Sequence, residues 1–182
     1  EGFTEGSALQ GDLAYHKVLQ QVGLGIHFEE DGLRSVTLSE PMKGGEFDFN
    51  AISDTFLTLA ALAPLLSGPT TIRGIAHTRK QETDRVSAMA TELGKLGQDI
   101  EETEDVLIIR PDKEALSQAA SNGIEIDTYD DHRVAMSFAI LGCSNLRGNG
   151  EPWLTIRNPG CCSKTFPGFF DELEHLRISS LS

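Results

Sequence analysis

Cysteine is scarce in this chain: Cys143, Cys161 and Cys162 are the only three in 182 residues. An odd number without framework spacing excludes a disulfide scaffold and predicts reduced thiols in a cytoplasmic setting. The adjacent Cys161-Cys162 pair suggests a redox or metal site, yet it lacks the CxxC spacing and companion ligands that zinc needs. His16, His27 and His175 show no ligand spacing either, so no metal is expected. Positive charge is also short, with 15 Lys and Arg against 28 Asp and Glu and a net charge of −13. That balance argues against nucleic acid or an acidic membrane surface as partner. An anionic ligand would need a local cationic pocket. No apolar run approaches membrane-spanning length. No basic segment followed by an apolar one opens the chain, so no signal peptide is expected.

What is present suffices for a core. Hydrophobic residues make up 39% of the chain, and one domain is the default. Leu13, Val18, Leu19 and Val22 fall at helical spacing between about Gln10 and Gly23. The alternating runs Gly25 to Phe28 and Leu33 to Leu38 follow, read as a hairpin turning at Glu29 to Gly32. After Pro41 and Gly44-Gly45 a new unit opens. Phe47 to Asn50 is read as a strand, Thr55 to Leu66 as an almost wholly apolar buried helix, and Thr70 to Ile75 as a second strand. A further helix and a hairpin, Gln98 to Glu102 with Val106 to Arg110, complete it.

The same order returns from Gly123. Ile124 to Ile126 is its strand, Val134 to Leu141 its apolar helix, and Leu154 to Arg157 matches Thr70 to Arg73. Gln10 to Leu38 resembles the back half of such a unit. The expectation is an α/β fold of repeated βαβαββ units, with apolar helices inside and sheets around them. The first repeat is truncated at about 1–40, and two more span 45–112 and 122–182.

The stretch His77-Thr78-Arg79-Lys80-Gln81-Glu82-Thr83-Asp84-Arg85 runs from a β-rich segment into an amphipathic helix and packs most of its charge into one turn. Thr78 and Gln81 have capping-box spacing, and Val86, Met89, Leu93 and Leu96 then recur helically up to Gly97. This predicts a helix from near Arg79, with Gln81, Glu82 and Arg85 crowding one side of its first turn. An anion there would meet a guanidinium and free backbone N–H groups. The plainer alternative is a solvated turn with a Glu-Arg pair.

Three more constellations sit at strand-to-helix passages: Ser53-Asp54, Asp130-Asp131-His132-Arg133 and Lys164-Thr165-Phe166-Pro167. The repeats bring these passages to one end of the domain. Arg85 and Arg133 offer forks for carboxylate or phosphate, Lys164 a mobile point charge, and Asp54 and Glu82 two carboxylates for proton transfer. Each has a structural alternative. Asp54 could cap its helix, Arg133 could cap or pair with Asp131, Lys164 could be a solvated helix-entry lysine, and His132 could make a structural hydrogen bond.

Together Gln81-Glu82-Thr83-Asp84-Arg85, Tyr129-Asp130-Asp131-His132-Arg133-Val134-Ala135-Met136 and Lys164-Thr165-Phe166-Pro167 resemble the 5-enolpyruvylshikimate-3-phosphate synthase family, with Gln10-Gly11-Asp12 and Ser53-Asp54 also fitting. The resemblance covers nearly the whole chain in the family's order. It implies the C-terminal domain of a two-domain shikimate-pathway enzyme, each domain built from three βαβαββ units, with the active site between them. Such enzymes transfer the enolpyruvyl group of phosphoenolpyruvate to the 5-hydroxyl of shikimate 3-phosphate, release phosphate, and use no cofactor.

By resemblance Asp54 contacts shikimate 3-phosphate and accepts the hydroxyl proton, and Glu82 transfers a proton at the methylene carbon. Arg85, Arg133 and Lys164 bind phosphoenolpyruvate. Two features depart from the family pattern. Gln81 stands where a lysine is usual, and His77-Thr78-Arg79 replaces an Asn-Trp-Arg run. The N-terminal domain is the implied partner, and without it this chain is expected to be inactive. The other reading is a noncatalytic phosphate-binding or interaction domain derived from the family. The related transferase acting on a UDP-sugar does not normally carry the Asp-His-Arg and Lys-Thr-Phe-Pro combination.

Overall fold

The computed structural model describes residues 14–29, 32–38 and 41–180. The Gln10-Gly11-Asp12 motif and the first turns of the helix read from Gln10 lie outside those residues. Helix α1, Tyr15–Gln21, leads into β1, Leu24–Glu29, which pairs antiparallel with β2, Gly32–Leu38. This is the helix and hairpin read as a truncated unit.

The second unit is complete. Strand β3, Glu46–Asp48, runs parallel to β4, Thr70–Arg73, with Phe47 opposite Ile72. Parallel neighbours need a crossover, and α2, Phe56–Leu62, provides it with Phe56, Leu57, Leu59, Ala60 and Ala61 all buried. The apolar run Thr55 to Leu66 is helical only in its middle. Short 3-10 turns flank it at Ser53–Thr55 and Ala63–Leu65, and Pro64 tightens the latter because it has no N–H to continue the ladder. Strand β4 stops at Arg73, where Gly74 turns to φ +77° and a Cβ would lie 2.8 Å from the Asn50 nitrogen. Helix α3, Arg85–Lys95, then leads to the antiparallel pair β5, Asp99–Glu102, and β6, Val106–Arg110. The sheet order is β3-β4-β6-β5.

Helix α4, Lys113–Asn122, links the units and was not anticipated from the sequence. Its signal was legible: Asp112 accepts from the Ala115 amide at 2.9 Å, Glu114 sits in the first turn, and Gly123 follows the last residue.

The third unit repeats the parallel pair. Strand β7, Ile124–Ile126, and β8, Leu154–Ile156, are joined through α5, His132–Gly142. Helix α6, Phe169–Ser180, follows. Helices α2 and α5 pack face to face at the centre, with α3 against both. Phe56, Leu57, Met89, Leu93, Phe138 and Leu141 are all 0% exposed, and each contributes about 1.5–3 kcal/mol by leaving water. The fold is therefore mixed α/β with apolar helices inside and sheets outside. No helix among the described residues is long and apolar enough to cross a membrane.

Candidate functional site

The repeat places two strand-to-helix passages side by side. One runs from β3 through Asp54 into α2, the other from β7 through Asp131 into α5. Two strand-to-3-10 passages lie opposite, and their geometry also repeats. After β4, Gly74 at φ +77° opens the 3-10 turn Ala76–Lys80. After β8, Asn158 at φ +50° opens the 3-10 turn Pro159–Lys164. These four connections carry the polar residues to one end of the molecule.

The helix expected from Arg79 starts six residues later. Thr78 forms no capping box; its hydroxyl donates to the Ile75 carbonyl at 2.6 Å. Asp84 is the cap, accepting from the Ser87 amide at 3.0 Å. Arg79 explains the delay. Its guanidinium lies 2.8 Å from Glu102 and donates to the Thr103 and Glu104 carbonyls, so the turn between β5 and β6 holds 76–80 off the helix axis. Gln81 and Glu82 consequently sit in a loop and point differently from helical neighbours.

Asp54, Glu82, Arg85, Arg133 and Lys164 line one cleft of about 540 Å³, together with Gln81 and His132. Asp54 does not cap its helix. Its carboxylate instead receives Arg85 Nη1 at 2.9 Å and Arg133 Nη2 at 2.8 Å. Gln81 accepts from Arg85 Nη1 and donates to Asp54 at 3.4 Å, filling the gap between them. Glu82 pairs with Lys164 and meets His132 Nδ1 at 3.1 Å. His132 thus makes a hydrogen bond within the cleft. Burial pushes the Glu82 carboxyl up, but the Lys164 ammonium and His132 outweigh it and hold Glu82 below the ordinary glutamate range.

Asp131 was not expected as an anchor for Arg85. Its carboxylate, 0% exposed, accepts from Arg85 Nε at 2.7 Å and from the Arg133 amide at 2.8 Å, capping α5 with the same group. Asp84 therefore occupies the helix start that the sequence offers to an anion, and Asp131 fills the start of α5 in the same way. The positive field in the cleft comes from side chains.

Glu82, Asp131 and His132 bring three donor atoms within 4.8 Å of one another. A cation there would have to displace Lys164 from Glu82 and Arg85 from Asp131, so the donor set is poorly suited to metal. The arrangement is suited to a multiply charged anion: two fixed guanidiniums, one longer ammonium with 57% of its side chain exposed, and two carboxylates lining the same cleft.

The sequence matches the family described as EPSP synthase (3-phosphoshikimate 1-carboxyvinyltransferase) over residues 4–173. It is 52% identical over 177 residues to a 3-phosphoshikimate 1-carboxyvinyltransferase of Opitutus terrae, covering 97% of this chain and 36% of that protein. It is 40% identical over 172 residues to one of Vibrio atlanticus, covering 94% and 37%. The chain spans about a third of the length of the curated relatives it matches. An EPSP synthase structure from Acinetobacter baumannii superposes with TM-score 0.69 at 25% identity, covering 92% of this chain and 39% of that one. The enolpyruvyl transferase NikO from Streptomyces tendae shares the fold, with TM-score 0.60 at 22% identity over 88% of this chain and 34% of that one.

Proposed function

The chain belongs to the EPSP synthase family, and from that premise we propose that it is the C-terminal domain of a cytoplasmic carboxyvinyltransferase, with its repeats at about 1–40, 45–112 and 122–182. The enzyme joins the enolpyruvyl group of phosphoenolpyruvate to the 5-hydroxyl of shikimate 3-phosphate. The observation that carries this is the arrangement of Arg85, Arg133 and Lys164 around one cleft with Asp54 and Glu82 between them.

Arg85, Arg133 and Lys164 hold the carboxylate and phosphate of phosphoenolpyruvate. When Lys164 turns to that anion, Glu82 loses one of the two partners that keep it ionised and takes up a proton more readily. Glu82 delivers this proton to the methylene carbon, leaving a cationic centre at the adjacent carbon. The 5-hydroxyl oxygen attacks that centre as its proton passes to Asp54. Glu82, now a carboxylate, then takes a proton from the new methyl group as the C–O bond to phosphate breaks, which restores the double bond and releases phosphate. Gln81 meets shikimate 3-phosphate through a neutral hydrogen bond in place of an ammonium.

The cleft is open on one side, and water there would compete with the hydroxyl. The N-terminal domain is the partner that closes it, so this chain alone does not turn over. The test adds a separately purified N-terminal domain and follows phosphate release from both substrates. Turnover should need both parts and disappear in Arg85→Ala. Tight association without turnover would instead favour a noncatalytic phosphate-binding domain, with Gln81 as its first mark of divergence.

A further inference from the structure

Helix α3 carries a second buried acid that the reaction does not use. Glu92 is 0% exposed and lies seven residues, two helical turns, after Arg85, so both side chains leave the same face. Both reach the connection between β7 and α5. Arg85 takes Asp131, and Glu92 accepts from the Asp127 amide at 3.0 Å and from the Tyr129 hydroxyl at 2.7 Å. Lys95 neutralises Glu92 at 2.7 Å.

The segment strapped down in this way is bent against its own preference. Tyr129 and Asp130 stand consecutively at φ 54° and 59°, a left-handed pair without glycine. The Asp131 amide closes the turn on the Thr128 carbonyl at 2.8 Å, which drives the Asp131 carboxylate inward. An unfavourable conformation persists where its surroundings hold it, and two side-chain ties hold this pair: the Tyr129 hydroxyl donates to Glu92, and Asn158 Nδ2 donates to Asp130 at 3.0 Å. Burial and the Glu92 charge push the Tyr129 hydroxyl up to about 12, so it remains a donor over the physiological range.

We propose that Glu92 is a positioning residue for Arg85: by holding Tyr129 and the Asp127 backbone it fixes the left-handed turn that presents Asp131 to the Arg85 guanidinium. This deepens the anion-binding reading of the cleft and rests on it only for the second readout below.

The first readout is the Nε–H resonance of Arg85 in arginine-labelled chain, identified by its loss in Arg85→Lys. In the parent chain it should be shifted from the free arginine position and slow to exchange. Tyr129→Phe, which removes only the hydroxyl, should move it toward the free position and speed exchange. Tyr129→Ala should do so more strongly. Tyr129→Gly should recover part of the effect, because glycine enters the left-handed region without a Cβ penalty.

The second readout is titration with phosphoenolpyruvate, whose affinity should fall about threefold in Tyr129→Phe and about tenfold in Tyr129→Ala, with glycine between them. An Arg85 resonance unchanged in the phenylalanine and alanine variants, even alongside a lower melting temperature, would reduce Glu92 and Tyr129 to ordinary structural residues. So would the lack of a protected resonance in the parent chain. If alanine prevents folding, the phenylalanine and glycine variants decide. Should the chain fail to bind phosphoenolpyruvate even when rejoined with its N-terminal domain, while the resonance still follows Tyr129, the positioning stands and the proposed function falls.

Discussion

Arg85 and Asp131 form an ion pair that is closed to solvent on both sides, with Nε 2.7 Å from Oδ2 and the two side chains 3% and 0% exposed. Removing Asp131 leaves the buried Nε of Arg85 without an acceptor, while Asp54 and Gln81 remain on Nη1. Asp131 also caps α5. Asp131→Ala should therefore destabilise the chain by about 3–5 kcal/mol, read as a shift in the urea midpoint. A loss under about 1 kcal/mol would mean that Asp54 or water compensates Arg85 once Asp131 is gone.

Glu82 titrates below the ordinary 4.5 because Lys164 and His132 outweigh its burial. A carboxyl lowered by folding contributes stability above its unfolded pKa and loses it as pH falls through the folded value. The parent chain should therefore exceed Glu82→Gln in stability near neutrality. The gap should narrow from about pH 4.5 downward. Urea midpoints of the two proteins across that range check this, and a constant gap would count against the pairing.

Gln81 accepts from Arg85 and donates to Asp54 at once. Lysine can donate to Asp54 but cannot accept from a guanidinium. Gln81→Lys should lower the melting temperature by a few degrees, about 1 kcal/mol. The added charge should tighten binding of shikimate 3-phosphate in the enzyme rejoined with its N-terminal domain. Calorimetry on the pair of proteins measures both effects, and unchanged affinity would mean that position 81 does not face that ligand.

Cys162 is 2% exposed and donates to the His132 carbonyl, and burial together with Cys161 pushes its thiol up to about 12. Alkylation needs thiolate and access. Iodoacetamide at about pH 8 should leave Cys162 unmodified in the folded chain and label it in denaturant, as peptide mass mapping would reveal. Labelling of Cys162 as fast as Cys161 in the native state would contradict the observed packing.

The repeat was readable because buried helices and parallel strands impose composition: Thr55 to Leu66 and Val134 to Leu141 are almost wholly apolar, and Thr70 to Arg73 has its echo at Leu154 to Arg157. The start of α3 was misread because Thr78 and Gln81 satisfy a local rule that Arg79 overrides through the distant Thr103 and Glu104 carbonyls. No local pattern encodes that. Asp84 with apolar Val86 and Met89 behind it was the competing signal, and it prevails because its cap is made within the helix itself. Asp54 showed the reverse. Its position suited a cap, but two arginines from other segments draw its carboxylate away. Helix α4 is hard to see in the sequence although Asp112 and Gly123 bracket it, because its polar outer face weakens the periodicity.

The two kinds of cation in the cleft differ in how much freedom an arriving anion must remove. Arg85 is already clamped by Asp131, so its side chain has few rotamers left to surrender and its charge is delivered almost without entropic loss. Lys164 keeps a long stem with 57% of its side chain in solvent, and it must leave Glu82 and be held anew on the anion at each encounter. Affinity should accordingly rest on the frozen guanidinium, while the rate of escape follows the loosening of the lysine.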